Sequence, residues 1–163
     1  MLAHSFYTDI GRLSAVEYEG RLVMLLFGER PPEAEEGTSP VLLETERQIR
    51  EYLSGIRMSF ELPLGIRFSG FRKDVTDAMM NIPYGSTMTY GQLAEASGHP
   101  GASRAAGSVC RKNPLPLIIP CHRVIPSSGG IGNYSGPEGM KEKLLTIEER
   151  SLKGASSRPQ RKR

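Results

Sequence analysis

Residues 113–124 read Asn-Pro-Leu-Pro-Leu-Ile-Ile-Pro-Cys-His-Arg-Val, so that Cys121, His122 and Arg123 stand side by side. A cysteine attacks electrophiles as the thiolate, and neighbouring positive charge favours that form. Pro114, Pro116 and Pro120 fix their own φ and bias the residues before them towards extended backbone. Cys121 is therefore expected on a stiff segment, which suits a nucleophile that must meet its target in one geometry. An inert core cysteine after an apolar run is the competing reading of the same residues.

A base next to the thiol needs something to orient it. A helix is expected over residues 137–152, with Met140, Leu144 and Ile147 on one face and Glu148 beside that face. A carboxylate at the edge of an apolar stripe needs a partner, and His122 is the candidate; a solvated surface glutamate is the alternative.

The elements that carry these residues follow from local signals. Residues 4–9, 12–18 and 21–27 read as three short strands of an antiparallel meander, with Asp9-Ile10-Gly11 and Glu19-Gly20 as turns. Residues 29–39 read as a polar surface loop. Ser39 and Pro40 then open a helix in which Leu42, Glu46, Ile49 and Leu53 recur at helical spacing before Gly55. Met58, Phe60 and Leu62 alternate as in a fourth strand. The turn-formers in residues 63–69 mark a boundary, giving a first domain over residues 1–64 and a second over residues 65–152.

In the second domain Ser69 can cap a helix whose stripe is Phe71, Val75, Ala78, Met79 and Ile82. Thr89 and Gln92 have capping-box spacing for a short helix over residues 90–97. Gly98-His99-Pro100 breaks it, and residues 102–111 form another helix, a helix-turn-helix arrangement. That last helix carries Ser103, Ala105, Ala106, Gly107 and Ser108, with Arg104 as the one long side chain near its start. So smooth a helix suits either a narrow minor groove, with Arg104 reaching into the base stack, or close packing against the core. Residues 127–136 are too glycine-rich to be rigid and can fold over a pocket, but lack the lysine of a phosphate-binding loop. Residues 153–163, ending Arg161-Lys162-Arg163, read as a disordered basic tail.

The formal net charge of +3 is unevenly spread. Residues 1–64 carry a formal −5, and no Asp or Glu occurs between Glu95 and Glu138, where Arg104, Arg111, Lys112 and Arg123 lie. Such a stretch can approach a polyanion without repulsion. No apolar run is long enough to span a membrane and the first residues do not read as a secretory signal, so a cytoplasmic protein is expected. Cys110 and Cys121 are expected to stay reduced there, and with no Cys-x-x-Cys motif a zinc site is not expected.

These residues resemble the O6-alkylguanine-DNA alkyltransferase family. The likeness rests on Ile119-Pro120-Cys121-His122-Arg123-Val124, preceded by Arg111-Lys112-Asn113-Pro114 and followed by Gly132-Asn133-Tyr134-Ser135-Gly136. It continues through Tyr84-Gly85, Thr89-Tyr90-Gly91-Gln92-Leu93-Ala94, Ser103-Arg104-Ala105 and Lys141-Glu142, covering most of residues 68–150.

The resemblance implies an α+β protein: a small RNase H-like antiparallel sheet-plus-helix N-terminal domain, then a mainly helical helix-turn-helix catalytic domain. It implies a single-turnover transfer of the alkyl group from O6-alkylguanine in DNA, and also from O4-alkylthymine, to Cys121. No cofactor or metal is involved. The partner implied is double-stranded DNA, bound through its minor groove with the alkylated guanine flipped out, by a monomer in the cytoplasm, or in the nucleus if the source is eukaryotic.

Carried over residue by residue, Cys121 is the acceptor. His122 is its base, acting through a water and oriented by Glu148. Tyr90 is the proton donor to the leaving guanine, and Ser135 contacts the substituted oxygen. Arg104 fills the vacated stack, flanked by Ser103 and Ala105 on the DNA-binding helix. Asn113 is the joint between that helix and the active-site segment, the backbone of Cys121 and Val124 reads the guanine edge, and Pro116 is a pocket wall. Two departures stand out: the first domain has no cysteine with which to hold the zinc of animal relatives, and Cys110 stands where an apolar residue is usual. A non-catalytic lesion sensor and a cysteine hydrolase are the rival readings.

Overall fold

The computed structural model describes residues 1–157. Strands β1 (Leu2–Thr8), β2 (Gly11–Tyr18) and β3 (Arg21–Phe27) form the expected antiparallel meander. The second turn is tight because Glu19 and Gly20 both take positive φ, 51° and 77°, the conformation that joins two strands through two residues. A fourth strand, β4 (Glu35–Glu36), pairs parallel to β1 and gives the order β3-β2-β1-β4. The surface loop expected over residues 29–39 thus contains an edge strand of two residues.

Helix α1 (Pro40–Leu53) packs on this sheet, with the Ser39 hydroxyl accepting from the Leu42 amide and Leu42, Ile49 and Tyr52 buried. The strand expected around Met58, Phe60 and Leu62 does not form. Gln48 explains why: its side chain donates to the Glu61 carbonyl and accepts from the Glu61 amide, taking the place of a neighbouring strand. The chain meets the sheet only further on, where Leu22 exchanges backbone bonds with Pro63 and Gly65.

Helix α2 (Gly70–Met80) starts after Ser69, whose side chain makes no capping bond, contrary to expectation. Strand β5 (Met88–Thr89) leads into helix α3 (Tyr90–Ala96), where Thr89 and Gln92 complete the expected capping box. Helix α4 (Ser103–Arg111) follows. Residues Cys121–Arg123 form one turn of 3-10 helix, and strand β6 (Val124–Ile125) pairs parallel to β5. Helix α5 runs Met140–Ser157. It starts three residues later than expected and continues through residues 153–157, so that part of the expected disordered tail is helical; residues 158–163 lie outside the described residues.

The result is a mixed α+β protein with five α-helices among the described residues. One continuous core joins its two halves: Leu13, Leu25 and Tyr52 belong to the same buried cluster as Met79, Ile119, Cys121 and Leu144. No helix among the described residues is long and apolar enough to cross a membrane.

Candidate active site

The proline-rich segment is fixed from both sides. The Leu25 amide of β3 donates to the Pro114 carbonyl at 2.9 Å, and the Ile119 amide turns back to Leu115 O at 2.8 Å. Between them Leu117 sits at φ 73°, a left-handed conformation that costs a non-glycine residue energy and persists only where surroundings impose it. At the head of the segment the Asn113 carboxamide accepts from the Leu115 amide and donates to Ile119 O and to the Cys121 sulfur, the last at 3.1 Å. Cys121 is thereby held, as expected, on a braced turn, and is 4% exposed.

Behind the thiol lies a buried polar cluster. His122 Nε2 bonds Glu148 Oε2 at 2.6 Å, with both residues fully buried. Glu148 also accepts from Arg123 Nε at 2.9 Å, Arg123 Nη2 at 3.1 Å, the Gly85 amide at 2.9 Å and the Tyr52 hydroxyl at 2.5 Å. Burial alone would raise the Glu148 carboxyl, but hydrogen bonds from His122 and Arg123, the charge that His122 gains at the acid pH where the carboxyl titrates, and the Tyr52 hydroxyl together hold it at about 2. Because a carboxylate can only accept, His122 Nε2 carries the proton and Nδ1 is the lone-pair nitrogen. Nδ1 is buried and has no hydrogen-bond partner among the described residues. Burial lowers the His122 pKa against the pull of Glu148, so the imidazole is neutral and available as a base.

The charge around Cys121 differs from the sequence expectation. Arg123 does not face the thiol: its guanidinium clasps Glu148 and donates through Nη1 to Ile82 O. The cation that acts on the sulfur is Lys141 of α5. Burial raises the Cys121 pKa, opposed by the Asn113 hydrogen bond and then by the Lys141 charge. Lys141 is itself 3% exposed, its Nζ donating to Val124 O at 2.6 Å and Asn133 O at 3.2 Å, and burial lowers its pKa against the pull of the two thiols.

In front of the thiol a cleft of about 670 Å³ opens, lined among others by Tyr90, Ser103, Arg104, Cys110, Cys121 and Ser135. Apart from Cys121 on its 3-10 turn, these come from α3, α4 and the glycine-rich loop, which does form part of the wall. Of the small residues on α4, Ala106 and Gly107 are buried while Ala105 is exposed, so the helix both packs inward and presents a smooth outer face. Tyr90 is raised by burial and then by the neighbouring thiols, which keeps its phenol protonated. Asn113, Val124, His122 and Glu148 lie behind the cleft, and Pro116 is buried rather than on its wall. Cys110 is pushed up to about 12, first by burial, and its thiol contacts the Met79 sulfur at 3.6 Å. Both cysteines are free, as expected.

Tyr52 and Lys141 are the site residues that sequence reasoning missed. Tyr52 reads as an ordinary core position of α1, and its spacing carries no hint of a partner 96 residues away. Lys141 does carry a signal: it falls next to Met140 at the start of an apolar stripe, where a buried lysine needs oxygen partners.

A thiol at the floor of an open cleft, braced by an amide and backed by a neutral imidazole and a buried cation, defines a protein that uses cysteine as a nucleophile. Residues 70–150 match the family described as 6-O-methylguanine DNA methyltransferase, DNA binding domain. The constitutive methylated-DNA–protein-cysteine methyltransferase of Bacillus subtilis is 36% identical over 155 residues, covering 90% of this chain and 94% of its own. That of Methanosarcina barkeri is 44% identical over 110 residues, covering 68% and 70%. Among solved structures, Mycobacterium tuberculosis OGT in complex with DNA matches with a TM-score of 0.85 at 31% identity, over 93% of this chain and 94% of that one. The chain belongs to the methylated-DNA–protein-cysteine methyltransferase family.

Proposed function

We propose that this protein repairs DNA by moving the alkyl group of O6-alkylguanine irreversibly onto Cys121. The observation that carries this reading is the placement of the Cys121 sulfur between the cleft and the His122–Glu148 pair. In the reaction the sulfur forms a bond to the alkyl carbon and the bond from that carbon to guanine O6 breaks. The thiol proton passes through a water to His122 Nδ1, and the departing guanine takes a proton from Tyr90. No route leads back from the thioether, so each molecule acts once, as a methylated-DNA–protein-cysteine S-methyltransferase. O4-alkylthymine, which also carries its alkyl group on an exocyclic oxygen, is a further substrate of the same chemistry.

Double-stranded DNA is the partner. Helices α3 and α4 act as the helix-turn-helix, with the smooth face of α4 in the minor groove and Ser103 and Ala105 against the backbone. Arg104 enters the stack as the damaged guanine rotates into the cleft. There Ser135 meets the substituted oxygen and the backbone of Cys121 the guanine edge. Residues 1–64, of RNase H-like sheet-plus-helix form, support residues 65–152, which bind DNA and accept the alkyl group, and the protein acts as a monomer. Binding is nearly indifferent to sequence and sensitive to salt, because the minor groove offers few distinguishing bonds.

Mass spectrometry after mixing with methylated duplex DNA tests the reading. A permanent gain of one methyl group on Cys121, absent in Cys121→Ala, is expected while that variant still binds DNA. An unmodified protein that binds lesions would make it a sensor, and multiple turnover with unmodified protein would make it a hydrolase.

A further inference from the structure

Glu148 receives more hydrogen bonds than it can hold at full strength. A carboxylate offers about four lone-pair sites, and five donors reach this one: Arg123 Nε and the Gly85 amide at Oε1, then Tyr52 Oη, His122 Nε2 and Arg123 Nη2 at Oε2. The crowding falls on Oε2, where the Tyr52 hydroxyl at 2.5 Å and His122 Nε2 at 2.6 Å compete for the same oxygen. Tyr52 Oη also lies 3.2 Å from His122 Nε2, with its one proton already given to the carboxylate.

Tyr52 is held there firmly. It is fully buried, with Phe60, Tyr84 and His122 ring centroids at 5.4, 6.0 and 6.4 Å. Packing alone would be served by phenylalanine, so the hydroxyl calls for its own explanation. Its pKa is raised far above the ordinary tyrosine value by burial and by Glu148, so it acts only as a neutral donor.

We propose that Tyr52 is a positioning residue of the transfer reaction: by giving its proton to Glu148 Oε2 it weakens that oxygen's hold on His122 and keeps the imidazole neutral, with Nδ1 free to take the thiol proton. The groups facing His122 are Glu148 and Lys141 from α5, Arg123 and Cys121 beside it in the chain, Tyr52 from α1, and Tyr84 through its ring on Tyr52. Arg123 and Lys141 already oppose protonation, and Glu148 alone favours it. Tyr52 sets how strongly Glu148 does so. The hydroxyl thereby ties the readiness of the base to the docking of α1, which belongs to the half of the chain that holds no cleft residue.

The proposal rests on Cys121 as alkyl acceptor and on His122 as its base, and Tyr52→Phe in the full chain tests it. With the hydroxyl gone, His122 takes a larger share of Oε2 and its pKa rises. The acid limb of the rate profile should move up by about one pH unit, the equivalent of one hydrogen bond to a charged group. On that limb, below the folded pKa of His122, transfer then falls about tenfold, and it recovers above the limb, with free O6-benzylguanine as with methylated duplex. A loss that is the same at every pH, or an unmoved limb, would overturn the proposal. If the variant does not fold, ¹⁵N titration of His122 in the full chain with a ring-fluorinated tyrosine at position 52 decides: the fluorophenol is a stronger donor, so a lower His122 pKa than in the unaltered protein upholds it, and an unmoved pKa overturns it. Should the unaltered protein take no alkyl group at all, the functional reading fails, while the same His122 titration of the unaltered and Tyr52→Phe proteins still tests the role of Tyr52.

Discussion

The side-chain amide of Asn113 donates to the sulfur of Cys121 at 3.1 Å while its oxygen accepts from the Leu115 amide. One residue just beyond α4 therefore both shapes the active-site turn and stabilises charge on the thiol. Asn113→Asp keeps the shape and the acceptor but replaces the donor with negative charge. The Cys121 pKa should rise and transfer at neutral pH should fall at least about tenfold, by analogy with other like-charge pairs. Thiolate absorbance against pH, with the transfer rate, measures both. An unchanged thiol pKa would mean that the amide serves only the backbone.

Lys141 is the second control on the sulfur. Lys141→Met preserves length but removes the charge and leaves Val124 O and Asn133 O without their donor. The pH at which Cys121 becomes reactive should rise by about one unit. Stability should fall by about 1–3 kcal/mol through the two stranded carbonyls. Reaction with free O6-benzylguanine across pH and a denaturant midpoint separate the two effects.

Glu148 ties stability to pH. Its folded pKa of about 2 lies below the ordinary 4.5, so the carboxylate stabilises the fold above pH 4.5 and loses that contribution as the pH falls through about 2. The contribution is about 3 kcal/mol at neutral pH. Glu148→Gln removes this acid dependence and leaves buried Arg123 without its counter-charge, costing about 3–5 kcal/mol. Urea unfolding at several pH values, with the variant beside the parent, is the measurement.

Local chemistry made much of this legible in the sequence. The Glu19-Gly20 turn, the Ser39-Pro40 helix start and the Thr89–Gln92 capping box are decided within a few residues, and all three formed as expected. The pairing of His122 with Glu148 was legible because each needs a partner of the other's type. What was not legible depended on distant chain. The two residues of β4 are a strand only because β1 offers an edge, and Met58–Leu62 is not one because Gln48 satisfies Glu61 first. The direction of Arg123 was misread for the same reason: adjacency in sequence suggested that it faces the thiol, whereas Glu148 draws it away.

Cys110 lines the same cleft as Cys121 but lacks its support. With its pKa pushed up to about 12 and its thiol against Met79, it should remain unmodified. Peptide mapping after reaction with excess methylated DNA should find alkylation on Cys121 alone, and Cys110→Ala should leave the extent of transfer unchanged.

Arg104 is exposed at the edge of the cleft, on α4 and apart from the cluster behind the thiol. Unstacking a base costs a few kcal/mol, which a side chain in the gap offsets. Arg104→Ala should slow repair of duplex DNA by about tenfold or more yet leave reaction with free O6-benzylguanine nearly unchanged, and Arg104→Lys should recover only part of the loss. Equal losses on both substrates would assign Arg104 to the support of the active site instead.

The five donors to Glu148 also impose an order in time. A ribosome releases Tyr52 and Gly85 first, then Cys121, His122 and Arg123, and only later Lys141 and Glu148. Early parts of a chain can begin to fold while later parts are still being made. During that interval the nascent thiol has neither its cation nor an oriented base, so a half-made molecule carries the acceptor without the means to use it. A protein that can react once thus has its chemistry armed from α5, after the acceptor and its base have been translated.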